Sequence, residues 1–341
     1  MAWHVLSVSE NGLAVLHPGG LMRSFFLAVV FVLSIAALPG TVHAQEAAKK
    51  PESVALRFAW PEKLTTEVSY QRTRTRTGKP TSTFSARFTR TALKQDDTIR
   101  LTESGTKWEG DMPFPQGLVQ DAIQASEGLV QVVNTDGEFV ALEGIESLRP
   151  VLAKMFASMN LPKEQAERTM ALSEAMMRAD AQEMWMLGVG FWSGGDLEFG
   201  ARYTMRNEAE VPLVPGLTAQ YAVEFSAQRR VPCNASEKVS RCVELKLRSV
   251  PDAESLPKIT RALVTQLAGP TAKLPADAIQ QLTIENELVL VTEPATLVPH
   301  RLVWTKGVNV TVKDGGQTRK LEQLDRREYD YRYAVAAKPK P

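Results

Sequence analysis

The chain has 341 residues, 40 basic and 39 acidic, for a formal net charge of +1 with four histidines counted neutral. So even a balance gives no sign of a nucleic-acid or strongly anionic partner. With 44% hydrophobic and 23% charged residues and only two cysteines, the composition is that of a globular protein rather than a disordered or disulfide-dense one.

From Met22 the sequence reads MRSFFLAVVFVLSIAALPGTVHAQ. A single Arg23, an apolar run from Phe25 to Leu38, a Pro39-Gly40 break and a small residue at Ala44 make this a secretory signal peptide, with cleavage after Ala44. The run is too short for the roughly 20 residues of a bilayer-spanning helix. Residues 1–21 read as a misassigned start, so 1–44 is leader. The expectation is a soluble protein of the periplasm, or secreted, with no membrane span after cleavage. Residues 45–53 and 336–341 read as disordered ends, and 54–335 as one domain.

Within that domain, period-two alternation dominates. Leu64, Thr66, Val68 and Tyr70 share a face of LTTEVSYQRTRTRT, and Phe84, Ala86 and Phe88 share one of STFSARFTRT; Ile99 and Leu101 continue after the Gln95-Asp96-Asp97 turn. LVQVV and EFVAL flank a turn at Thr135-Asp136-Gly137. After the midpoint the habit resumes in LEFGARYTM, TAQYAVEFS, CVELKLRSV, QLTIENELVLV, HRLVWTKGVNVTV and LEQLDRREYDYRYAV. About a dozen strands at hairpin spacing predict a large, curved antiparallel sheet of the α+β class.

Helical spacing interrupts the strands in two regions. Ile145, Leu148, Leu152, Met155, Phe156 and Met159 follow the i, i+3, i+4 rule, and Pro162 opens a longer helix to about Leu187. A further helix spans about Leu256 to Ala268. Because each region follows a hairpin, the chain can be read as two degenerate hairpin-plus-helix halves. Seven of the 11 methionines lie between Met155 and Met186. Flexible thioethers suit surfaces that repack around varied apolar partners. Met155, Phe156, Met159, Met177, Met184, Trp185, Met186 and Trp192 are therefore the candidates for lining an apolar pocket between helices and sheet; the plainer reading is an irregular, Met-rich core.

EMWMLGVGFWSGG breaks both G-x-G-x-x-G and G-x-S-x-G, so it predicts a helix-to-strand junction rather than a phosphate loop or a nucleophile turn. Cys233 and Cys242, between alternating runs in an exported chain, predict a structural disulfide across a hairpin. His300 is the one histidine outside the leader, too few for a histidine metal site or a His-based triad, and its place after Pro299 at a strand start predicts a surface or edge role. Met155 and Met159, or Met184 and Met186, have spacing usable by Cu(I), but histidine or thiolate partners are lacking. No metal or cofactor is expected. Ser255-x-x-Lys258 lacks its companion motifs and reads as a helix N-cap. Arg72, Arg74 and Arg76 share one strand face, which reads as solvated or paired across the strand with carboxylates; Tyr329, Tyr331 and Tyr333 read as a packed stripe.

The order of hairpins, Met-rich helices (VLAKMFASM, EAMMRADAQEMWML), hairpins, helix and a late hairpin (PATLVPHRLVWTKGVNVTV) resembles the incomplete-barrel proteins of the outer-membrane lipoprotein carrier (LolA-like) class. That resemblance implies a strongly bent antiparallel sheet holding helices and an apolar ligand on its concave side. The function expected is therefore non-enzymatic binding of an apolar or lipid-like molecule. The alternatives are a structural or protein-interaction role in the envelope, and a hydrolase acting through carboxylates.

Overall fold

The computed structural model describes residues 52–110, 116–159, 161–211, 217–268, 279–314 and 317–333. The leader, the cleavage site after Ala44 and the tail lie outside them. Strands form where β-branched and aromatic residues alternate with polar ones. The first series is β1 (Ser53–Ala55), β2 (Lys63–Arg76), β3 (Lys79–Gln95), β4 (Thr98–Gly110), β5 (Val130–Asn134) and β6 (Phe139–Glu143). The second is β7 (Asp196–Glu198), β8 (Tyr203–Glu210), β9 (Thr218–Val231), β10 (Cys242–Pro251), β11 (Ile279–Thr292), β12 (Pro299–Asp314) and β13 (Gln317–Tyr333).

Eleven of them form one antiparallel sheet in the order β6-β5-β4-β3-β2-β13-β12-β11-β10-β9-β8, which is not closed into a barrel; β1 and β7 pair separately. The α+β architecture with a large curved antiparallel sheet is thus the one the alternation predicts. The two meanders join at the centre, where β2 pairs with β13 from Thr66 opposite Tyr333 to Arg76 opposite Gln323. One face of the sheet is buried. On β2, Thr66, Val68, Tyr70 and Arg72 are buried while Thr65, Glu67 and Gln71 are exposed, as an antiparallel sheet with one solvated face requires.

The helices are α1 (Gln116–Ser126), α2 (Arg149–Ser158), α3 (Lys163–Trp185) and α4 (Leu256–Ala268). A 3-10 turn, Ile145–Leu148, precedes α2, with Pro150 in the first turn where its missing N–H costs nothing. A π-helical turn, Met186–Gly190, follows α3. A Cβ at Gly190 would stand 2.7 Å from the sulfur of Met186, an exposed and flexible side chain that can move aside. Sequence periodicity marks α2, α3 and α4 but not α1, although Val119, Ala122 and Ile123 give it a buried stripe.

Helix α1 also changes the repeat. It crosses between the adjacent strands β4 and β5, as α4 crosses between β10 and β11. The two halves therefore correspond through α1 and α4, each a helix inserted after three strands, and not through the Met-rich helices.

Three further expectations need correction. LEFGARYTM is two strands: β7 leaves to pair with β1, and the chain turns at Gly200, whose N–H reaches Ala227 O, before β8 begins. Glu52 and Ser53, read as disordered linker, belong to the fold; Glu52 O accepts from the Phe199 N–H, its carboxylate bonds Arg230 at 3.0 Å, and Ser53 opens β1. His300 is buried rather than superficial, because β12 is an interior strand whose start is covered by Tyr333 and by the 293–298 turn.

Buried apolar side chains gather in three clusters. The largest lies on the buried face of the sheet and contains Trp185, Trp192, Trp304, Tyr329 and Tyr331. A second joins α1, α2 and α3 to β6 and to Leu129 just before β5, and a third packs Ile259 and Leu263 of α4 against Tyr221, Ile284, Val308 and Val310.

Candidate ligand-binding site

The inner face of the central strands is ordered in rows, because antiparallel register puts facing residues side by side. One row is Ala86, Tyr70, Tyr329 and Leu302; the next, two residues along, is Phe84, Arg72, Arg327 and Trp304; the third is Ser82, Arg74, Asp325 and Lys306. An aromatic floor thus passes into a charged seam as β2 runs outward.

Asp325 anchors the seam. Arg72 Nε donates to its Oδ1 at 2.7 Å while Nη2 holds Oδ2, a two-pronged grip, and Arg72 is only 2% exposed. Arg74 Nε lies 3.6 Å and Arg327 Nη2 3.8 Å from the same Oδ2. Burial pushes the Asp325 carboxyl up, but the Arg72 hydrogen bonds and the charges of Arg72, Arg327 and Arg74 outweigh it and hold it down at about 2. The cross-strand pairing expected of the RTRTRT face is present for Arg72 and Arg74, and Arg76 is exposed at the rim. Helix α3 meets the seam through long side chains: Arg327 Nη1 donates to Asp180 at 2.9 Å, and Lys306 Nζ is 3.2 Å from Glu183. Both cations also sit over the Trp304 ring, at 4.8 and 4.0 Å from its centre.

A cavity lies beside the aromatic row, between β2 to β6 and the end of α1. Tyr70, Phe88, Leu101, Trp108, Leu129 and Tyr329 supply apolar wall, with Ala86 and Leu142. Arg90, Glu103, Thr106, Ser126 and Gln131 supply the polar atoms. Arg90 grips Glu103 through Nη2 at 2.6 Å and Nε at 3.2 Å. Gln131 is 5% exposed, and its amide nitrogen has no hydrogen-bond partner among the described residues. The free volume of about 40 Å³ holds roughly three waters.

None of the eight residues expected to line a pocket borders this cavity. Met155, Phe156 and Met177 are buried in the cluster of α1, α2 and α3; Met184, Trp185 and Trp192 are buried against the sheet; Met159 and Met186 are exposed. The physical reason is that Met155 and Met177 pack between the helices, Met184 joins Trp185 and Trp192 in filling the space against the sheet, and Met159 and Met186 point outward. Trp185 donates to Gly137 O at 2.7 Å and meets Phe58 and Trp60 edge-on, and Trp192 donates to Leu187 O at 2.8 Å. EMWMLGVGFWSGG is accordingly a junction that locks α3 to the core. The wall residues Trp108, Leu129 and Gln131 went unmarked in the sequence, where only the alternation of their strands could have pointed to them.

The other sequence signals resolve into packing. Cys233 and Cys242 form the disulfide, with Cα atoms 5.1 Å apart. Their sulfurs and a His300 ring nitrogen lie within 4.8 Å of one another, but a disulfide offers no thiolate to a metal. His300 Nε2 is 3.2 Å from Glu293, and burial lowers the imidazole pKa. Ser255 Oγ accepts from the Gln220 N–H at 3.1 Å, and Lys258 Nζ donates to Thr218 O at 3.1 Å. Ser255-x-x-Lys258 therefore clamps α4 to β9, with both groups engaged by backbone. The tyrosine stripe is packed, Tyr329 and Tyr331 being buried with rings 6.4 Å apart. Among the described residues no helix is long and apolar enough to cross a membrane. No protein-family model matches the chain, and no curated protein matches it by sequence.

Proposed function

We propose that the chain is a non-enzymatic protein of the periplasm that binds an apolar or lipid-like molecule on the concave face of its sheet. The observation that carries the reading is the cavity: aromatic and aliphatic walls, a small set of convergent polar groups, and a buried Gln131 amide without a partner. The disulfide is in keeping with an oxidising compartment. At about 40 Å³ the cavity is far below the roughly 300–1,000 Å³ of a ligand pocket, so binding requires its walls to open.

Native mass spectrometry of protein purified from its own envelope, together with titration of a fluorescent fatty acid, tests this. A copurifying lipid and saturable uptake are expected, with uptake abolished by Leu129→Trp, which fills the cavity. A clean protein mass with no uptake sinks the proposal. It would favour the second reading, an envelope structural or interaction protein, which the internal packing of six of the eight predicted lining residues supports.

A further inference from the structure

We propose that Arg74, at the outer end of the charged seam, seats an anionic group, a carboxylate or phosphate borne on the polar end of the bound amphiphile. The inference rests on the apolar-ligand reading and names the chemistry of that ligand's head. Among the described residues the carboxylate nearest Arg74 is Asp325, 3.6 Å away and already held two-pronged by Arg72. Arg72, Arg76 and Arg327 add like charge around Arg74, so the guanidinium has cations for most of its charged neighbours. Burial, with the repulsion of Arg72, draws its pKa down to about 10. A second anion at this point would relieve that crowding and meet a planar fork of donors suited to a carboxylate or phosphate.

Position supports the same reading. The Arg74 side chain is 31% exposed, so a ligand can reach it, whereas Arg72 is sealed. Tyr70, on the cavity wall, lies four residues from Arg74 on the same strand face, roughly 13 Å at 3.3 Å per residue. The row between them is sealed at Arg72, Arg327 and Trp304 but half-buried at Phe84, whose ring lies 5.5 Å from that of Trp108 on the cavity wall. An extended amphiphile passing over Trp108 and Phe84 thus brings its head to Arg74. Asp180 and Glu183 on α3 are engaged by Arg327 and Lys306, which leaves Arg74 and, further out, the exposed Arg76 as the cations of this strand face within reach of an anion.

The test titrates the full chain with a long-chain fluorescent fatty acid, its methyl ester and inorganic phosphate, and repeats each titration on Arg74→Gln and Arg74→Lys. Asp325 keeps Arg72 and Arg327 in both variants, and circular dichroism confirms the fold. We expect the acid to bind at least about tenfold tighter than the ester. Arg74→Gln should erase that difference, leaving ester affinity unchanged, and Arg74→Lys should restore part of it. Equal binding of acid and ester, untouched by either variant, overturns the headgroup seat and leaves the apolar reading standing. Phosphate binding that Arg74→Gln abolishes, with neither amphiphile bound, keeps the anion seat and removes the apolar reading, identifying a free anion as occupant. If none of the three binds, both fall. Should Arg74→Gln fail to fold, the acid and ester on the native chain and on Arg74→Lys decide the matter.

Discussion

Replacing Asp325 by Asn is the most searching perturbation of the seam, because it keeps the shape and removes the charge that holds Arg72 and Arg327. Both arginines are buried, at 2% and 7% exposure. Breaking a buried pair leaves an uncompensated charge and costs roughly 3–5 kcal/mol, so Asp325→Asn should lose about that much stability at pH 7. The pH dependence supplies an independent magnitude. A carboxyl moved from 3.8 in the unfolded chain to about 2 in the folded one contributes about 2 kcal/mol. Since the folded value is depressed, this stability is fully present above 3.8 and is lost as pH falls through about 2. Urea unfolding of both proteins between pH 6 and about pH 2 should show a gap that is constant at the upper end and narrows by about 2 kcal/mol at the lower. Parallel curves, or a gap below about 1 kcal/mol at neutral pH, would refute the account of Asp325 as the anchor of the seam.

Other consequences are as direct. Trp192→Ala, at a side chain 2% exposed, should cost roughly 3–5 kcal/mol by denaturant titration. Gly144 has φ +79 and a Cβ there would overlap the carbonyl oxygen of Gly128, so Gly144→Ala should cost about 2 kcal/mol or more and lower the melting temperature. Replacing both Cys233 and Cys242 by Ala should cost about 3 kcal/mol if loop closure governs, measured against the oxidised parent. His300, its pKa lowered by burial, should titrate by NMR below the free-imidazole value of 6.5; the stability it carries is present above that value and lost on acidification, a loss that His300→Gln removes.

The strands were legible because one buried face imposes a strict two-residue rhythm, and β2, β3 and β9 to β13 follow it through long runs. The break between β7 and β8 was hidden because the apolar rhythm of LEFGARYTM continues across a turn that backbone geometry, not hydropathy, dictates. Helix α1 is as long as α2 but buries three residues, Val119, Ala122 and Ile123, against four in α2, and its signal was overshadowed by the denser stripe at Met155 and Phe156. Methionine clustering pointed away from the cavity: its thioethers divide between the helix cluster, the sheet face and the exterior, whereas tryptophans and tyrosines predominate against the sheet. The cavity draws on β2, β3, β4, β5, β6 and β13, and no linear motif encodes a wall assembled from six strands. The arginine face was visible as a face, but its carboxylate partner stands 253 positions later in the chain.

That separation has a consequence for the order of events in folding. Strand β2 is the first of the large sheet to emerge and β13 the last, yet they are neighbours at its centre. Each meander can form from local hairpins, but joining them must wait until nearly the whole domain is available, a long-range closure of the kind that slows folding. Until then Arg72 and Arg74 have no Asp325, and the row of Tyr70 has no Tyr329 beside it. The same adjacency brings the start of β2 close to the end of β13, where Thr66 faces Tyr333. A circular permutant that links the end of β13 to Glu52, so that β1 is kept, and opens the chain elsewhere would bring the central pair close in sequence, and should fold faster than the native order while keeping the same sheet.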